Sequence, residues 1–128
     1  MSSQFIRWLP TILWGTLILV LSMMPGEQSK LMMFGIPHFD KIGHFGMYAI
    51  WAFLMYYALS GHSGRSLRNA FLISMVVCAL TGVALEFGQY YIASGRSFEV
   101  ADMLANAAGA ILGAFVGWKW KMLLKQLS

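Results

Sequence analysis

Four predominantly apolar stretches, each about the twenty residues that a helix needs to cross a bilayer, fill this chain almost end to end: residues 5–24, 40–60, 69–91 and 100–118. In a chain of 128 residues they leave only short connections and tails, so no separate soluble domain is expected. Composition points the same way: 59% of the residues are hydrophobic and 11% are charged, against ~25% charged in soluble domains. The expected fold is all-α, an integral membrane bundle of four transmembrane helices forming a single domain over residues 1–128.

The punctuation of the chain fits these spans. Pro25 and Gly26 stop the first helix. Arg7 followed by an apolar run resembles a secretory leader. The run is nevertheless long, rich in Trp and Leu, and has no small-x-small site before Pro25, so an uncleaved first helix is expected. The following loop, residues 26–39, carries Glu27, Lys30 and His38. Its apolar run Leu31, Met32, Met33, Phe34 suits a short re-entrant or surface segment. Trp8, Tyr90, Tyr91, Trp118 and Trp120 fall near span ends, where aromatic belts belong. No internal repeat is visible, which gives no support to a solenoid or an inverted-repeat transporter.

The formal net charge of +4 does not indicate nucleic acid, because the basic residues flank apolar spans and form no soluble stripe. They report orientation instead. Arg7, Arg65, Arg68, Lys119, Lys121 and Lys125 lie on one side, and Lys30, Lys41 and Arg96 on the other. The positive-inside rule then places both termini in the cytoplasm of a bacterial inner-membrane protein. Cys78 is the only cysteine and lies inside an apolar run, which excludes a disulfide framework.

All five acidic residues, Glu27, Asp40, Glu86, Glu99 and Asp102, fall on or near the predicted outer side. Asp40 and His44 stand one turn apart on one helix face, and Asp40 also suits the first turn as a cap. Glu86 follows a run of apolar residues and lies ~7 Å inside the predicted helix end at 1.5 Å per residue, a depth at which a carboxylate needs a partner. Gln89 shares its face. Asp102 and Asn106 stack on the fourth span, above Gly109, Gly113 and Gly117, which recur every four residues and form a strip for close helix packing.

Two readings of this polar layer stand side by side. It is a structural knot, in which Arg96 or Lys41 neutralises Glu86 and Asp102. Or it is a ligand site, in which Asp40, Lys41, Gln89, Arg96 and Asn106 bind a phosphate or carboxylate headgroup while His44, Glu86 and Asp102 move protons as catalytic groups. No Ser or Thr sits in a nucleophile signature, and no histidine spacing matches a zinc motif, so neither a metal nor another cofactor is expected. A metal-assisted site on His44, Glu86 and Asp102 is the minor form of the enzyme reading. A proton-coupled exporter is disfavoured because no acidic residue falls in the inner half of any span.

The series Asp40-Lys41-x-x-His44-Phe45, Glu86-x-x-Gln89, Arg96-x-x-Glu99-x-x-Asp102 and Asn106-x-x-Gly109-x-x-x-Gly113, in this order on three consecutive spans, resembles the VanZ-like membrane proteins over residues 37–117. The resemblance implies a small polytopic bacterial inner-membrane protein. It also implies a family known through members that lower susceptibility to teicoplanin-type lipoglycopeptides, and it marks the eight polar residues as signature positions without giving them catalytic roles. The expected partner is therefore membrane lipid, an anionic envelope lipid or a lipid-linked cell-wall precursor met from the outer leaflet. The alternative is a non-catalytic partner subunit, and a homo-oligomer packed through the glycine strip stays open.

Overall fold

The computed structural model describes residues 2–32, 34, 36, 38–93 and 95–128. It is all-helical, with no strand among the described residues: α1 (Ser3–Ser22), α2 (Gly26–Met32), α3 (Phe39–Leu59), α4 (Leu67–Ile92) and α5 (Val100–Leu127). All but α2 are long and apolar enough to cross a membrane, and the protein is a multi-pass membrane protein. Large apolar side chains point outward from every span, Leu13, Ile42, Leu80 and Leu104 among them, each more than 60% exposed. Such a surface suits lipid and not water.

Local signals set the helix ends. Ser2 caps α1 by accepting from the Phe5 N–H at 3.3 Å, and Ser66 caps α4 by accepting from Asn69 at 3.1 Å. Pro10 lies inside α1 without ending it. The loop after Pro25 opens with the short helix α2, a turn of order that the apolar run did not announce. Of that run, Met33 lies outside the described residues. The last helix continues well past Trp118, to Leu127, because the chain that follows holds good helix formers and neither Gly nor Pro to stop it. At 28 residues it is ~42 Å long, more than the ~30 Å hydrocarbon core.

The spans alternate in direction, so α3 and α5 run parallel to each other and antiparallel to α1 and α4. Helix α3 is central. Against α5 it packs backbone to backbone: a Cβ at Gly109 would overlap the Phe45 carbonyl oxygen, and one at Gly113 the carbonyl oxygen of Ala49. Gly117 receives the Tyr56 ring, and Ala52, Ala110 and Ala114 fill the seam with no exposed surface. The glycine strip is thus covered by the chain's own α3, and a second copy cannot use it without displacing that helix.

Helix α1 meets α3 through the Trp51 ring packed on Gly15 and through polar ties. The indole of Trp51 donates to the Thr11 carbonyl at 3.0 Å, and that of Trp14 to Met47 at 2.9 Å. At the far end Arg7 donates to the Tyr57 carbonyl at 2.7 Å, and Trp8 donates to the His62 ring at 3.2 Å. Trp8, expected only as part of an aromatic belt, also ties α1 to the connection between α3 and α4. At the opposite end the loop between α4 and α5 turns at Gly95, whose φ of 72° suits glycine, and meets the start of α2 at Gly26 closely enough that a Cβ there would overlap the Gly95 carbonyl.

Candidate functional site

The parallel packing of α3 and α5 has an electrostatic consequence. It sets two helix N-termini side by side, with the C-terminal end of α4 and loop residues 95–99 beside them, and paired positive dipole ends favour carboxylates. Asp40 lies in the first turn of α3 and Asp102 in that of α5. Neither is the N-cap. That position falls to His38, in a left-handed conformation with φ of 60°, and to Glu99. Asp40 turns instead to its neighbour.

Lys41 is the hub. Its ammonium lies 2.6 Å from Asp40 Oδ2 and 2.9 Å from Asp102 Oδ1, and it pairs with Glu99 Oε2. Asp102 Oδ1 is buried, and the Lys41 ammonium is the cation beside it. The oxygens of Asp40, Glu99 and Asp102 converge within 4.8 Å of one another, a spacing that a metal ion could accept. The lysine already supplies the positive charge there, and the convergent set differs from the His44, Glu86, Asp102 grouping that the sequence offered.

Glu86 departs from expectation. Neither Lys41 nor Arg96 pairs with it among the described residues. It is 1% exposed, and Oε1 accepts the backbone N–H of Glu99 at 2.9 Å, while Oε2 has no hydrogen-bond partner among the described residues. A buried carboxylate thereby ties the end of α4 to the N-cap of α5. His44 faces α5: Nδ1 lies 2.9 Å from Asn106 Oδ1, and Nε2 lies 3.6 Å from Asp102 Oδ2. Because the Asn106 oxygen only accepts, that contact assigns the Nδ1 proton to His44 and turns Nε2 toward Asp102.

In front of this layer lies an open cavity of about 190 Å³. Ile18 and Leu21 of α1 and Met47 of α3 form apolar walls, and Asp40, His44, Gln89 and Arg96 supply the polar ones. Arg96 makes no ion pair or side-chain hydrogen bond among the described residues. The eight polar residues singled out in the sequence thus fall into two groups. Asp40, His44, Gln89 and Arg96 line the cavity, whereas Lys41, Glu86, Asp102 and Asn106 stand behind it. A phosphate entering the cavity would meet a guanidinium, an imidazole and an amide, with the Asp40 carboxylate on the same wall.

Two participants lacked a role in the sequence reading. Glu99 donates its backbone N–H to Glu86 and accepts from the Lys41 ammonium with its carboxylate; its place in the Arg96-x-x-Glu99-x-x-Asp102 spacing was the available signal. Tyr48, 2% exposed, lines the cavity and reaches Gly82 of α4, a contact that no spacing in the sequence marks.

Comparison with known proteins adds one finding. The VanZ/LLP1 family model matches residues 5–123. Neither the curated proteins nor the solved structures gave a match.

Proposed function

The chain belongs to the VanZ/LLP1 family, and we propose that it binds or modifies an anionic envelope lipid or lipid-linked cell-wall precursor at the cavity between α1, α3 and α4. The observation that carries this reading is Arg96, a guanidinium without a protein counter-ion among the described residues, on the wall of a cavity that is otherwise largely apolar. A planar guanidinium takes phosphate oxygens in pairs, and the apolar walls suit the first part of an acyl or prenyl chain. His44 is the cavity's proton-bearing group, with Asn106 holding its ring.

The bias of Lys and Arg supports a bacterial inner-membrane protein with both termini in the cytoplasm, so that the cavity opens to the outer leaflet. Lowered lipoglycopeptide susceptibility, which the family resemblance implies, would follow from capture of a surface precursor in this leaflet. A second reading, a non-catalytic partner subunit, draws support from Lys41: one cation satisfying three carboxylates across two elements is a structural tie in its own right.

Native mass spectrometry of the detergent-purified protein separates the two. The wild type should retain one lipid of defined, phosphate-bearing mass per chain, Arg96→Gln should lose it, and Glu86→Leu, which removes the acceptor of the Glu99 N–H, should weaken it by loosening the loop that carries Arg96. If wild type and Arg96→Gln carry the same dispersed annular lipid, the ligand reading fails and the partner-subunit reading takes its place.

A further inference from the structure

The charge of the site restricts the headgroup further. Four carboxylates, Asp40, Glu86, Glu99 and Asp102, stand against two permanent cations, Lys41 and Arg96, so the formal charge of the layer is two negative with His44 neutral. Even with His44 charged and Glu86 holding its proton, the sum only reaches zero. Lys41 is committed to three acids. A phosphate on Arg96 would therefore satisfy one guanidinium while adding negative charge to a layer with no surplus of positive charge, in surroundings where charges are weakly screened.

The same cavity offers the complementary group. Asp40 lines it alongside Arg96. Its Oδ2 is bonded to Lys41, its Oδ1 makes no hydrogen bond among the described residues, and its side chain is 22% exposed. A hydroxyl donor could meet that oxygen, but only a cation would also correct the charge.

Resting on the phosphate-lipid reading given above, and narrowing its anionic headgroup to one whose phosphate charge is internally balanced, we infer that the headgroup taken by this cavity carries its own positive charge: a primary amine close to the phosphate, with the phosphate on Arg96 and the ammonium on Asp40. Two kinds of molecule present that chemistry, a zwitterionic aminophospholipid and a lipid-linked precursor bearing an amine.

The test uses the full chain, delipidated in detergent and offered equal amounts of phosphatidylethanolamine and phosphatidylglycerol with identical acyl chains, read by native mass spectrometry. The wild type should retain phosphatidylethanolamine over phosphatidylglycerol by roughly tenfold or more, the ratio set by a charge-assisted hydrogen bond made to one lipid and not to the other. The isosteric Asp40→Asn should erase that preference while still retaining lipid, and Arg96→Gln should lose both lipids. Phosphatidylglycerol retained as well as phosphatidylethanolamine by the wild type would overturn the amine and leave the phosphate site standing. An unchanged preference in Asp40→Asn would overturn the assignment to Asp40, and retention of neither lipid would overturn the lipid reading with it. Loading from a bacterial envelope lipid extract distinguishes the two sources by mass. Either amine-bearing species supports the inference, and a retained amine-free lipid contradicts it.

Discussion

Gly113→Ala adds a single methyl group at the tightest point of the seam between α3 and α5. An ideal Cβ there would overlap the Ala49 carbonyl oxygen and lie 2.7 Å from the Ala49 carbonyl carbon and 2.9 Å from its Cα. Ordinary contact begins at 3.4 Å, so the two backbones must part by about 0.7 Å or more at this level. The obstacle is main chain on main chain, and no side chain can rotate away. Overpacking of this kind costs about 1–3 kcal/mol, offset by up to ~1 kcal/mol from the better helix propensity of alanine. A net loss of about 1–2 kcal/mol is expected. Gly46→Ala is the control, because a Cβ at Gly46 meets nothing within 4 Å and the same propensity gain acts alone. Unfolding by titration with sodium dodecyl sulfate from a mild detergent, followed by circular dichroism, should place Gly113→Ala well below wild type and Gly46→Ala at or above it. If the two variants unfold together, the seam is not held by backbone contact and the register that brings Lys41 to Asp102 needs another cause.

Lys41→Met should cost on the order of 3 kcal/mol in the same assay, the lower end of what breaking a buried charge cluster costs, since the lysine is partly exposed. Adding Asp102→Asn should recover part of that loss, and a double mutant no better than Lys41→Met would mean that the pair is not coupled. Glu86→Gln keeps an oxygen for the Glu99 N–H and should stay folded, whereas Glu86→Leu removes the acceptor and should destabilise by about 1–3 kcal/mol; equal stability of the two would refute the tie between α4 and α5. Trp51→Phe should weaken the hold of α3 on α1 by about 0.6 kcal/mol in the same unfolding assay, the average for interhelical hydrogen bonds in a bilayer. A variant as stable as wild type would show that α1 is held by other contacts.

The four spans were legible because an apolar run of bilayer length has few alternatives, and the polar layer because any charge stands out against such runs. The glycine period marked the face of α5 that another helix approaches, and α3 is that helix. Pairings within the layer were much less legible. The partner of Glu86 is a backbone N–H, and a main-chain donor leaves no mark in a sequence, so nearby cations were read as its counter-ions. Lys41 was one of two candidate cations, and only the parallel register of α3 and α5 brings it to three acids at once. The overrun of α5 to Leu127 escaped notice because hydropathy falls after Trp118 while helix propensity does not. The indoles of Trp14 and Trp51 show the same limit: the sequence places an aromatic on a helix but not the carbonyl that it meets across the interface.

The central claim is that a lipid headgroup occupies the cavity in front of the polar layer and is held there by Arg96. It is tested most directly in membranes, by photo-crosslinking with a phospholipid that carries a diazirine close to its headgroup, followed by peptide mapping. The account predicts adducts concentrated on cavity residues such as Leu21 and Met47 and largely abolished by Arg96→Gln. Adducts spread evenly over outward-facing residues such as Leu104 and Ile42, and unaffected by Arg96→Gln, would contradict it.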